Sequence, residues 1–195
     1  MSYEVEQKFR VDDLAAIRVR LEQFGATQGE TCDQSDSYFR HPVRDFPATD
    51  EAFRLRRSGS SGVLTYKGPK LDATTKTRVE HETRLADGTA NLATADAMLQ
   101  ALGFAPTAVV AKRRETWSFP GVGGPIEVAL DEVVGVGTFV ELELAVAEPD
   151  ARSAEPELDA ARTNLAAAAA ALGLDPGRSE RRSYLELLLA SGSPS

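Results

Sequence analysis

The sequence predicts an α+β fold, an eight-stranded antiparallel β-barrel with helices packed outside. Three observations predict it. Segments that alternate charged with apolar or neutral side chains recur between residues 3 and 146, and a period of two is the mark of a strand with two unlike faces. Helical stretches are inserted between these segments without the regular strand-helix alternation of a parallel sheet. The charges also sort by strand, acids on the first and last two and bases on the middle ones. A solvated surface mixes signs, whereas an enclosed lumen that holds an ion and its counter-ion does not.

In order, residues 3 to 10 form the first strand. Asp12 and Asp13 are placed to cap a helix whose Leu14, Ile17, Leu21 and Phe24 share one face, with Gly25 as the stop. A second strand follows at 33 to 40, and the two prolines between His41 and Asp50 mark a loop. Strands at 53 to 57 and 63 to 67 flank Ser58-Gly59-Ser60-Ser61-Gly62, which reads as a hairpin. Residues 78 to 85 alternate again and precede a helix at 93 to 102 ended by Gly103. Residues 109 to 119, 126 to 130 and 139 to 146 complete the strands. The Ala-rich run 160 to 172, closed by Gly173, is helical by propensity and is read as a cover or a homodimer surface. A last helix is expected over 179 to 189.

The 195 residues, 42% of them hydrophobic, support one core, taken as a single domain over 1–190 with a frayed tail at 191–195. The formal charge of −8 argues against a nucleic-acid binder, which needs a basic surface against backbone phosphates. Cys32 is the sole cysteine, which excludes an intrachain disulfide; with a charged N-terminus and no apolar run of about 18 residues, the expectation is a cytoplasmic protein without a membrane partner.

Side chains two apart in a strand point the same way. Glu4, Glu6 and Lys8 therefore share a face, as do Arg54 with Arg56, Thr65 with Lys67, Lys112 with Arg114, Glu127 with Asp131, and Glu141 with Glu143. Any one of these alone reads as the wet face of a sheet. Together they suit a lumen in which Glu-x-Glu on one strand faces Glu-x-Glu on another to hold Mg2+ or Mn2+. Arg54, Arg56 and Arg114 can fork onto phosphate oxygens while Lys67, Lys112 and Lys8 add point charge. Other features read blandly: Gly121 to Gly124 is a turn rather than a dinucleotide loop, His41 and His81 lack metal spacing, and Trp117 and Phe119 pack under a helix.

The ordered set of motifs resembles the CYTH proteins, or triphosphate tunnel metalloenzymes, over nearly the whole chain. The matching elements are Glu4-x-Glu6-x-Lys8, Asp36-x-Tyr38-Phe39, Arg54-x-Arg56, Thr65-x-Lys67-Gly68-Pro69, Arg78-x-Glu80-x-Glu82, Lys112-x-Arg114, Asp131 before Gly135-Val136-Gly137, Glu141-x-Glu143, and Arg182-Ser183-Tyr184. The resemblance implies a tunnel in which Glu4, Glu6, Asp131, Glu141 and Glu143 serve the metal. It implies triphosphate along Arg54, Arg56, Lys67, Arg78, Lys112, Arg114 and Arg182, and catalytic duties for Lys8, Glu6 and Glu82. The substrate it implies is tripolyphosphate, thiamine triphosphate or ATP. Members of the family either hydrolyse a triphosphate or cyclise ATP, and both reactions use the same metal and bases. The acids present at Glu80, Glu82, Glu141 and Glu143 favour hydrolysis; cyclisation and a non-catalytic polyphosphate-binding module are the alternatives.

Overall fold

The computed structural model describes residues 2–70, 77–122, 124–147 and 154–192. Its strands are β1 (Ser2–Arg10), β2 (Thr27–Arg40), β3 (Ala52–Ser58), β4 (Ser61–Lys67), β5 (Arg78–Leu85), β6 (Ala105–Phe119), β7 (Ile126–Val133) and β8 (Gly137–Ala147). The helices are α1 (Leu14–Gln23), α2 (Phe46–Thr49), α3 (Thr89–Ala101), α4 (Ala154–Ala171) and α5 (Tyr184–Ala190). The strands close in the order β1-β5-β4-β3-β2-β6-β7-β8, and every pairing is antiparallel. Closure turns one face of each strand inward, although the β1–β5 seam pairs only Ser2–Glu4 with Arg78–Glu80.

The outward faces make the main core. Val5, Phe9, Val128, Leu130, Val140 and Leu142 pack with Trp117 and Phe119 beneath Leu14, Ile17 and Leu21 of α1 and Leu158, Leu165 and Leu172 of α4. Asp13 caps α1 by accepting from the Ala15 and Ala16 amides, and Gly25 ends it at φ 73, a conformation that costs a side-chain-bearing residue energy. Phe24, expected on the buried face, instead sits at the C-cap, half exposed, with its ring 5.9 Å from that of Phe119. Asp12 does not cap; it accepts from Arg178. A second cluster packs Leu92 and Leu99 of α3 on Phe39 and Leu55. In a third, Tyr184, Leu187 and Leu188 of α5 lie against the inward-facing Tyr38, Val110, Val133 and Phe139, which stops one end of the barrel.

Three elements differ from expectation, the first being α2, a single turn capped by Asp45 inside the expected loop 41–50. β2 starts at Thr27, because the polar run 27–33 carries no apolar alternation yet pairs with β6 from Ser118 to Arg113, where the barrel supplies its hydrogen bonds. The expected last helix, 179–189, begins only at Tyr184. The Glu180 amide donates to the Lys8 carbonyl and Ser179 bridges Phe9, so pairing with β1 overrides local helicity until Ser183 caps α5. Smaller shifts lengthen the expected helices to Thr89–Ala101 and Ala154–Ala171. Part of the expected tail, 193–195, and Gly123 of the expected turn lie outside the described residues. Among the described residues no helix is long and apolar enough to cross a membrane.

A charged tunnel as candidate active site

The inward faces enclose a cavity of about 560 Å³ lined almost entirely by polar side chains. Interiors of eight-stranded barrels are ordinarily filled by side chains; here the long charged groups ring a lumen instead.

One wall is acidic. In the β1–β8 ladder Glu6 lies opposite Glu143 and Lys8 opposite Glu141, and β7 sets Glu127 opposite Glu143. Burial, then the neighbouring Glu4 carboxylate, push the Glu143 carboxyl up to about 8 against the pull of Lys67, with Glu6 and Glu127 adding to the rise. Lys67 Nζ is shared between Glu4, at 3.1 and 3.2 Å, and Glu80, at 2.6 Å.

The facing wall is basic. Asp36 of β2, 1% exposed, accepts from Arg56 Nε at 2.7 Å and Nη2 at 2.8 Å and from Arg54 Nη1 at 3.3 Å. Burial would raise this carboxyl, but the two guanidiniums hold it well below the ordinary range. The shared carboxylate directs both arginines along the lumen wall, and among the described residues the buried Arg54 Nε has no hydrogen-bond partner. Arg78, 8% exposed, has Nη2 4.0 Å from Asp50 Oδ1. Glu82, toward the open end, accepts from Thr65 Oγ1 at 2.7 Å.

At the stopped end, Asp131 of β7 takes both fork nitrogens of Arg114 at 2.8 and 2.5 Å, Lys112 Nζ at 3.5 Å and the Tyr184 hydroxyl at 2.8 Å. Arg114 also bonds Glu141. Burial and then Arg114 push the Lys112 ammonium down to about 7. Lys8, 1% exposed, donates to the Arg182 carbonyl at 2.6 Å, lies 3.8 Å from Glu141 and sits 4.1 Å from the centre of the Tyr184 ring.

Twelve of the fourteen residues singled out from sequence line this one cavity: Glu4, Glu6, Lys8, Glu141 and Glu143 on one side, Arg54, Arg56, Lys67, Lys112 and Arg114 on the other, and Arg78 and Glu82 on β5. Two do not. Asp131 is fully buried beneath the lumen, its oxygens bonded to Arg114, Lys112 and Tyr184. The Arg182 side chain lies outside, half exposed and paired with Glu180 at 2.6 Å, while its carbonyl faces Lys8. Sequence reasoning left Asp36 without a role, although its alternation with Gln34 and Tyr38 on a face opposite Arg54-x-Arg56 called for one. Tyr184 carried no signal beyond its motif, because a residue opening a helix does not announce that it will enter a barrel.

Among the described residues no three carboxylate, histidine or cysteine groups are gathered tightly enough, as arranged here, to hold a metal ion. The donor set nevertheless fits a hard divalent cation. Glu4, Glu6, Glu127 and Glu143 converge with Lys67 among them, and the upward shift of Glu143 reflects its burial first and then these neighbouring carboxylates.

A closed barrel with opposed acidic and basic lumen walls defines a tunnel protein, and the comparisons give it a family. The CYTH domain model matches residues 2–184. The chain belongs to the CYTH domain family. It is 33% identical over 184 residues to a protein of Methanocaldococcus jannaschii named "Putative adenylate cyclase MJ0240", covering 94% of this chain and 97% of that one. The solved structure of PH1819 from Pyrococcus horikoshii OT3 superposes with a TM-score of 0.76 at 34% identity, covering 96% and 98% of the two chains. HpAC1 of Hippeastrum, named for adenylyl cyclase and described as having a dominant triphosphatase activity, shares the fold at 17% identity with a TM-score of 0.63, covering 97% and 96%.

Proposed function

We propose that the chain is a divalent-metal-dependent triphosphatase, with inorganic tripolyphosphate the substrate that fits best. The observation that carries this reading is the lumen itself: a wall of carboxylates faces a wall of cations, and among the described residues few aromatic side chains stand beside them to stack on a base. Of eight Phe, four Tyr and one Trp, only Tyr38 and Tyr184 line the cavity, and both are buried at its stopped end. The segments outside the described residues contain no aromatic side chain. Cyclisation requires adenine and ribose to be fixed so that the 3′-hydroxyl is aimed at the α-phosphate; hydrolysis requires only the phosphates to be held and a water to be aimed.

In this reading Glu4, Glu6, Glu127 and Glu143 would hold Mg2+ or Mn2+, which would supply charge neutralisation to the phosphate oxygens, while Glu141 stays with Arg114 and Lys8. Arg54 and Arg56, braced by Asp36, grip the phosphates along one wall; Arg114 and Lys112, braced by Asp131, grip them at the stopped end, with Lys67 and Arg78 between. Lys8, fixed by the Arg182 carbonyl, faces the terminal phosphoryl group. In this reading Glu82, toward the mouth, or the oxygen of Glu6 that the metal leaves unbound, would accept the proton of an attacking water.

A second reading, class IV adenylyl cyclase, is favoured by the name of the Methanocaldococcus jannaschii relative. Purified protein incubated with Mg2+ or Mn2+ and either tripolyphosphate or ATP separates the two. The expected products are orthophosphate and pyrophosphate from tripolyphosphate, with little turnover of ATP. Cyclic AMP and pyrophosphate from ATP would establish the second reading instead.

A further inference from the structure

Lys67 is the cation that joins the acidic wall to β5. Its partner directly across the β4–β5 ladder is Glu80, 9% exposed, and the 2.6 Å contact between them is the shorter of the two carboxylate interactions the ammonium makes. Its second partner, Glu4, belongs to β1 and reaches it at 3.1 and 3.2 Å through both oxygens. Resting on the metal reading above, Glu4 has two claimants: a divalent cation that takes its oxygens competes for them with Lys67, which touches both. Glu80 is one strand away from the lysine and moves with it, so a displaced Lys67 remains tethered to the wall. Its remaining N–H donors are then available to phosphate.

We propose that Glu80 is a positioning residue that acts through Lys67. It shares the ammonium with Glu4, weakens the lysine's hold on that carboxylate, and keeps the lysine in the lumen as a phosphate ligand when a metal draws Glu4 away. Metal and triphosphate therefore each bind more tightly in the presence of the other, and one lysine carries the coupling.

The test reads the binding of Mn2+ alone, by calorimetry or paramagnetic resonance, with folding of each variant checked by circular dichroism. Lys67→Met removes the competitor and is expected to tighten Mn2+ about tenfold, well beyond the effect of Arg84→Gln, a lumen cation without contact to Glu4 in this structure. Glu80→Gln leaves Lys67 wholly on Glu4 and is expected to weaken Mn2+ about tenfold. The double variant Lys67→Met with Glu80→Gln is expected to bind like Lys67→Met alone, since Glu80 has no lysine left to act through. Should the methionine variant not fold, Lys67→Gln repeats the cycle with a polar tip in the lumen. A Glu80→Gln loss that persists in the double variant would make Glu80 a direct ligand and overturn the proposal. So would a Lys67 variant that binds Mn2+ no more tightly than Arg84→Gln. If the unaltered protein takes up no Mn2+, the metal reading of the tunnel fails first; if it does and the cycle shows no coupling, only the role of Glu80 fails.

Discussion

Asp36 shows how a single side chain sets the chemistry of the tunnel. It is buried, carries a negative charge, and holds two arginines at the wall of the lumen. Asp36→Asn removes the counter-ion of a buried guanidinium pair and is expected to lower stability by about 3 kcal/mol. Tripolyphosphate, which can pair with the released guanidiniums, should restore a larger part of the melting temperature in this variant than it adds to the unaltered protein; thermal melts with and without the ligand check this. On the acidic wall, Glu4→Ala and Glu6→Ala are each expected to reduce metal-dependent turnover ~100-fold or more while the far-ultraviolet circular dichroism stays unchanged. Turnover retained in both variants would remove the functional meaning of that wall.

At the scale of elements, α5 has an effect out of proportion to its length. It is seven residues long and has little helical stability of its own, yet it stops the tunnel with Tyr184 and presents the Arg182 carbonyl to Lys8. Its start is secured by a capping box in which the Glu186 amide donates to the Ser183 hydroxyl and the Glu186 carboxylate accepts from the Ser183 amide. Ser183→Ala should cost about 1 kcal/mol. The greater part of the effect is expected in the lumen: a loosened Tyr184 leaves Lys112, Lys8 and Asp131 less well held, so turnover should fall more than the melting temperature alone suggests. Steady-state kinetics and melts on the same variant make the comparison. This element was also the one read least well from sequence. Helical propensity runs through residues 179–183, but those residues find partners on β1, 170 positions earlier in the chain, and no local pattern reports a contact of that separation.

For the whole molecule, the closed barrel concentrates charge that the chain would disperse when unfolded, and stability acquires a pH dependence. Glu143 is the clearest case. Its carboxyl is pushed up to about 8 from the ordinary 4.5, so between those values the folded protein binds a proton that the unfolded chain has released. Its contribution is fully present below the unfolded value and is lost as pH rises through about 8. Glu143→Gln, which keeps the neutral shape at every pH, is expected to stabilise the protein by on the order of 2 kcal/mol at pH 9 and to change little at pH 4, while abolishing metal-dependent turnover. Melting curves across that range, taken with a chelator present, give the answer. A variant that is more stable and inactive would mark the site as one where carboxylate repulsion is retained for function.

The sequence by itself determined the strand count, the charged faces and their sorting by sign, because a period of two is a local property that survives without knowledge of partners. It placed Glu4, Glu6, Arg54, Arg56, Lys112, Arg114, Glu141 and Glu143 on shared faces, and the barrel turned those faces inward. Only the tertiary structure decided which charges reach the lumen and which are buried beneath it. Asp131 and Glu141 alternate with their neighbours in the same way, yet Asp131 lies under Arg114, Lys112 and Tyr184 while Glu141 reaches the cavity. Arg182 and Tyr184 are two residues apart, yet one faces water and the other the core. Periodicity fixes the face of a strand on which a side chain lies; how deep it sits and which partner it meets depend on barrel closure and on the helix that stops its end.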